Sequence, residues 1–231
     1  MKVGIMQPYF MPYIGYFQLM KAVDKYVIYN DVNYIKGGWV TRNNILVNGK
    51  KQLFTIKLQG ASPNKRFLDI LILDDFRKFM RTLEMNYSKA PFFNDAMQLM
   101  ETIVSFSEKR LDLFIKNSFE KILFYLNIDT ELILSSDIEK NNSLKGKEKV
   151  LEICKILGAD TYYNAIGGKG LYDKKDFISN GISLHFLKTH EDLAYQQFPH
   201  MDFVPNLSII DALMFNSVEV VNKMLNDYAL E

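Results

Sequence analysis

The sequence predicts a three-layer α/β domain with a mostly parallel sheet, interrupted by a helical region at about residues 75 to 127. Three observations predict it. A strand, loop, helix and strand follow one another near the start, the same alternation returns from Glu148 onward, and 48% apolar with 13% aromatic residues supply a core without disulfides or a structural metal. A chain of 231 residues with this pattern is expected to form a single domain over 1–231, with the helical region inserted into the sheet or packed on it.

Val3 to Met6 is a short apolar run stopped by Gln7-Pro8, which reads as a first buried strand. Phe17, Leu19, Met20 and Val23 then lie at helical spacing, and Lys25 to Tyr29 resumes a β-rich apolar run. This is a βαβ unit, and in a parallel sheet ligands gather at the carboxyl ends of the strands, where Gln7 to Tyr16 and Asp31 to Trp39 emerge. Ile45 to Gly60 alternates around Asn48-Gly49, with Leu46 before and Leu53, Thr55 and Lys57 after, which signals an antiparallel hairpin. From Asp75 to about Leu126 three helical patterns follow, broken near Ala90-Pro91 and Ser105 to Glu108, with stripes such as Phe76, Phe79, Met80, Leu83 and Leu111, Ile115, Ile122. The polar stretch Ser135 to Lys149 reads as a linker or surface loop. Helix Glu148 to Leu157, strand Asp160 to Asn164, a Gly-rich turn, helix Lys174 to Ser179 and strand Ile182 to Leu187 complete a second unit, with Asn180-Gly181 as a left-handed helix cap. Ser208 to Asp211 has the form of a capping box and opens a last helical region running to about Tyr228.

Twenty-eight basic against twenty-seven acidic residues leave a formal net charge of +1, so no basic stripe is present to neutralise a phosphate backbone and nucleic acid is excluded as a partner. No window approaches the length of a membrane-spanning helix, and the first residues turn polar at Gln7 before a signal core forms, so a cytoplasmic protein without membrane insertion is expected. Cys154 lies on the apolar pattern Val150, Leu151, Ile153, Leu157, as a small buried hydrophobe. His185, His190 and His200 show no ligand spacing, so no metal site is expected. The sequence leaves the oligomeric state open.

Gln7-Pro8-Tyr9-Phe10-Met11-Pro12-Tyr13-Ile14-Gly15-Tyr16-Phe17 is the most unusual segment. Two prolines stiffen a loop that Gly15 lets turn into a helix, and the free N–H groups of that helix's start favour a phosphate or carboxylate. Asn30 to Asn44 is the second cluster, holding Asp31, Lys36, Arg42, Asn43 and the single tryptophan, Trp39. There Arg42 is suited to a bidentate grip on an anion, Lys36 to a point-charge contact, and Asp31 to orienting a hydroxyl or amine. Gly167-Gly168-Lys169-Gly170 is a tight turn without P-loop spacing, equally suited to structure or to phosphate contact. Tyr195, Gln197, Ser208 and Asp211 offer a polar cleft wall, although Ser208 and Asp211 are also adequate as a helix cap.

The opening Ile5 to Phe17 segment, Asp31, Lys36, Arg42-Asn43 and the late Pro205-Asn206-Leu207-Ser208-Ile209-Ile210-Asp211 resemble the WbqC-like family, as do Gly158-Ala159-Asp160-Thr161-Tyr162, Gly167-Gly168, Tyr172 and Tyr195-Gln196-Gln197. The resemblance spans nearly the whole chain. It implies a bacterial protein associated with O-antigen and other surface-polysaccharide gene clusters. Read from the residues, the candidate substrate or nucleotide site holds Gln7, Tyr9, Tyr13, Gly15, Tyr16, Asn43, Gly167, Gly168, Tyr195, Gln197, Ser208 and Asp211, with Asp31, Lys36 and Arg42 as the candidate catalytic groups. A second resemblance, of the Pro-aromatic-x-Pro-Tyr-x-Gly-Tyr loop to HIGH-type nucleotidyltransferases and pantothenate-synthetase-like ligases, implies a Rossmann-like, nucleotidyltransferase-like sheet and ATP with Mg²⁺. Those proteins use histidines where this chain has Tyr13 and Tyr16, which donate but carry no charge. The combined expectation is an enzyme that transfers an acyl or aminoacyl group to a nucleotide-linked amino sugar. A nucleotidyltransferase or glycosyltransferase, or a non-catalytic sugar-nucleotide binding module, are the alternatives for the same pocket.

Overall fold

β1 (Lys2–Met6), α1 (Ile14–Lys21) and β2 (Lys25–Ile28) form the expected βαβ unit in a computed structural model that describes residues 1–231, with Val3 beside Lys25 and Met6 beside Ile28 in parallel register. The chain then leaves the sheet. β3 (Arg42–Val47) and β4 (Lys50–Thr55) make a hairpin turned by Asn48 and Gly49, both with positive φ, as the Asn-Gly dipeptide requires. A short pair, β5 (Leu58–Gln59) with β6 (Leu71–Ile72), leads into α2 (Arg77–Tyr87), α3 (Phe93–Val104) and α4 (Leu111–Tyr125), the expected helical region. Phe76 precedes α2 in the left-handed region rather than starting the helix; Asp74 Oδ1 accepts its N–H at 2.9 Å and its ring stacks on Phe114.

The sheet resumes with β7 (Glu131–Leu134) beside β2, an edge strand the sequence reading missed because four residues carry little periodicity. α5 (Gly146–Ile156), β8 (Thr161–Ala165), α6 (Lys174–Ile178) and β9 (Ser183–Thr189) follow, with Gly181 in the left-handed conformation after α6. α7 (Ile209–Phe215) and α8 (Val218–Met224) form the last helical region, which ends sooner than expected: Tyr228–Leu230 is β10, the one antiparallel strand of the six-stranded sheet, paired with β9. Of Ser135 to Lys149, expected as a linker or surface loop, Ser135 to Lys145 is the β7–α5 connection and Gly146 to Lys149 is the first turn of α5. The stretch is mostly exposed but sends the Lys140 and Lys149 side chains inside.

The sheet order is β10-β9-β8-β1-β2-β7. From β1 the chain moves to β2 and β7 on one side, then crosses back to β8 and β9 on the other, so the winding reverses between β1 and β8. Alternate residues face opposite layers. Val3, Ile5, Val27, Tyr162 and Phe186 pack with Val150, Ile153 and Cys154 of α5 and Phe177 of α6, whereas Tyr26, Ile28 and Leu187 pack with Phe17, Leu19 and Met20 of α1 and Phe119 of α4. Both faces are covered, which is why β1 and β2 are apolar after their first residues and burial pushes the Cys154 thiol up to about 12. No helix is long and apolar enough to cross a membrane.

Candidate functional site

The reversal between β1 and β8 opens a cleft of about 470 Å³ at the carboxyl ends of β1, β2 and β8. Met6 to Tyr9 leave β1 along its floor, Tyr29 follows β2, Asn164 stands near the end of β8 and the Gly167-Gly168 turn follows it; Tyr172, Leu171 and Trp39 close the sides. No charged side chain is among its lining residues. Trp39 is 52% exposed at the mouth, and Tyr9 meets Tyr16 edge to face. Burial, more than any neighbour, raises the phenol pKa values of Tyr9 and Tyr29, so both stay neutral donors.

The Gln7 to Tyr13 loop is held rigid from three sides. Tyr16 Oη donates to the Gln7 carbonyl, the Phe10 N–H donates to Val40 O at 2.7 Å, and Ile209 N–H donates to Pro12 O at 2.7 Å. Met11, at φ 49°, is forced into the left-handed region, and its carbonyl accepts from Asn43 Nδ2 at 2.6 Å and Ser208 Oγ at 2.8 Å. Asn43 and Ser208 are thus buried fasteners of the loop.

The residues expected at one site occupy several places. Gln7, Tyr9, Tyr16, Gly167 and Gly168 line the cleft. Tyr13, Tyr195 and Ser208 line a separate cavity of about 330 Å³, with Ile14 and Thr189, so the start of α1 opens there. Gly15 is buried between them; a Cβ on it would overlap the Tyr13 ring and stand 2.5 Å from Thr189 Oγ1. Close packing, not ligand approach, requires glycine at this position.

Asp211 lies beneath that second cavity. Its carboxylate accepts from Tyr87 Oη at 2.9 Å, Tyr195 Oη at 2.7 Å and Gln197 Nε2 at 2.7 Å, with no cation among the partners. Burial raises its pKa against the pull of these three donors. The capping box expected here is only half made. Ser208 Oγ does accept from Ile210 N–H, but the Ser208 N–H is taken by Asn44 O, so Asp211 is free to turn inward to the phenols.

Asp31, expected to orient an attacking group, is an ion-pair centre instead of an open carboxylate. Its side chain is 7% exposed, and Oδ2 lies 2.8 Å from both Lys140 Nζ and Lys149 Nζ, themselves 1% and 6% exposed. Ser135 Oγ donates to Oδ1 at 2.5 Å. Burial alone would raise this carboxyl, but the bonds from Lys140, Lys149 and Ser135 outweigh it and hold the pKa below the ordinary value. Lys149 also lies over the Tyr29 ring at 5.2 Å, so the cluster sits directly behind a cleft wall.

Lys36 is exposed on the rim turn between Ile35 and Gly38, which both line the cleft. Arg42 donates to the Gly37 carbonyl and stacks its guanidinium on Trp39 at 5.4 Å, bracing that rim; its buried Nε makes no hydrogen bond. Sequence reasoning left Tyr29, Asn164, Lys140 and Lys149 off the site; it placed Trp39 in the Asn30 to Asn44 cluster and Tyr172 among the family motifs without giving either a role. Tyr29 and Asn164 were findable as the last residues of two predicted strands, but nothing local marks the two lysines.

The fold and site define a doubly wound α/β protein with a neutral, aromatic-walled cleft at its switch point. The chain belongs to the WbqC-like protein family, whose model matches residues 7–223. It is similar to the uncharacterized protein Rv1507c of Mycobacterium tuberculosis (strain ATCC 25618 / H37Rv), being 30% identical over 220 residues that cover 93% of each chain. No solved structure matches it.

Proposed function

We propose that this protein is an enzyme of bacterial surface-polysaccharide biosynthesis that binds a nucleotide-linked amino sugar in the switch-point cleft and transfers an acyl or aminoacyl group to it. The observation that carries the binding half is the cleft itself: a neutral pocket walled by Tyr9, Tyr29, Trp39 and Tyr172 where a doubly wound sheet reverses. Flat faces of this kind stack on a nucleobase or on the apolar face of a sugar ring. Lys36, on the rim, is placed for the phosphates outside the apolar pocket, and Arg42 keeps Trp39 upright.

The transfer half is supported by the gene setting that the family resemblance implies. The sugar amine attacks the carbonyl of an activated acyl donor, a C–N bond forms, the bond to the donor's leaving group breaks, and the amine proton passes to water at the open mouth. In this scheme Asp31 acts from behind the wall, through Lys149 and Tyr29, rather than on the amine. A second reading, a sugar-nucleotide binding module, is favoured by the same neutrality, because no carboxylate, imidazole, thiol or amine lines the cleft to take that proton.

Trp39 is the single tryptophan and provides the test. Its fluorescence should shift on titration with nucleotide-linked amino sugars, and mass spectrometry of mixtures with acyl donors should show an N-acylated product. Binding without product in any mixture supports the module. No fluorescence change with any sugar nucleotide removes the cleft from consideration.

A further inference from the structure

Asn164, the penultimate residue of β8, stands at the wall of the cleft only 5% exposed, and the protein uses only half of its amide. Oδ1 accepts the Ala165 N–H at 2.7 Å. A backbone N–H needs an acceptor, so this bond settles which end of the amide is oxygen and leaves Nδ2 facing away from it. Nδ2 forms no hydrogen bond within the protein and stands against the Gly168 backbone, where a Cβ would come within 2.6 Å of it. The unused atom is therefore purely a donor, and its complement is an acceptor on the ligand.

Gln7 follows β1, the strand adjoining β8, and its side-chain amide is likewise unbonded in the protein; only its backbone carbonyl is taken, by Tyr16. Two free amides on neighbouring strand ends match the edge of a ring that alternates acceptor and donor, as an imide does with its C=O and N–H groups. An amino group at the same position would set N–H against N–H.

We propose that Asn164 is a specificity residue that reads a ring carbonyl of the nucleobase, with Gln7 meeting the adjacent N–H, so that the cleft takes a uracil-type imide and rejects a cytosine-type amine. The proposal rests on the nucleotide reading above and names the base. Gly168 serves it by leaving room for the Asn164 amide.

The test compares UDP with CDP, which differ in the base at one exocyclic group and its adjacent ring nitrogen, by calorimetry on the full chain. The wild type should bind UDP at least about tenfold more tightly than CDP. Asn164→Asp keeps an oxygen for the Ala165 N–H, so the strand end holds, but presents an acceptor to the base; it should abolish or reverse the preference. Gly168→Ala, which removes no polar group, should displace the amide and lower the ratio of UDP to CDP affinity. Melting temperatures within about 2 °C of the wild type certify the fold, and if Asn164→Asp does not fold, the Gly168→Ala ratio decides. Equal binding of UDP and CDP by the wild type, or an unchanged ratio in the variants, overturns the base reading and leaves the nucleotide site standing. Failure of the wild type to bind either nucleotide overturns both.

Discussion

Replacing Asp31 by asparagine removes the one carboxylate between Lys140 and Lys149, whose ammonium groups are almost fully shielded from water. Breaking a buried ion pair by deleting one partner costs about 3 to 5 kcal/mol, because the remaining charge keeps its desolvation penalty without its counter-charge. Here two cations are stranded by one substitution. With a urea m-value of about 3 kcal/mol/M for a domain of this size, the midpoint should fall by about 1 to 2 M at neutral pH. The pH profile carries a second signature. The Asp31 pKa is depressed on folding, so its contribution is present above the ordinary value of 3.8 and is lost as pH falls through the lower, folded value. The difference between wild type and Asp31→Asn should therefore shrink on acidification below about pH 4. Chemical unfolding followed by circular dichroism at several pH values measures both. A midpoint change under about 0.3 M at neutral pH would refute the account, since that is the size of a surface pair. Adding Lys140→Met and Lys149→Met to Asp31→Leu should recover much of the loss, as apolar replacements of buried ion clusters do.

Asp211 titrates in the opposite sense: burial raises its folded pKa, so its contribution is fully present below 3.8 and is lost as pH rises through the folded value. Asp211→Asn should flatten that part of the stability curve in the same unfolding experiments, and a wild-type slope of the other sign there would contradict it. Trp39→Ala should weaken nucleotide-sugar binding by about 1 to 3 kcal/mol in calorimetry, while this half-exposed rim residue leaves the melting temperature nearly unchanged. Gly15→Ala forces a methyl group into the Tyr13 ring and Thr189, and should cost about 1 to 3 kcal/mol in chemical unfolding. Ser208→Ala should cost about 1 to 2 kcal/mol through the lost cap and the freed Met11 carbonyl, and should raise hydrogen exchange in the Gln7 to Tyr13 loop.

The sequence by itself determined the βαβ opening, the Asn48-Gly49 hairpin, the three central helices and the constrained loop after β1, because each is written in contiguous residues. Apolar spacing of two or near four, a turn dipeptide and two prolines act within a few residues and need no distant partner. The same locality explains why Gln7, Tyr9, Tyr16, Gly167 and Gly168 were found and do meet in the cleft. Only the tertiary structure decided that β8 returns beside β1, and this single choice of neighbour brings Asn164 and the Gly167-Gly168 turn into one cleft with Gln7. It also decided the partners of the buried charges. Asp31 meets Lys149 across 118 positions and Asp211 meets Tyr87 across 124, distances over which no periodicity or propensity reports a contact. A carboxylate in a polar loop reads alike whether it faces solvent, a substrate or two buried lysines. What separates these cases is desolvation, which is a property of the packed layers and not of the chain.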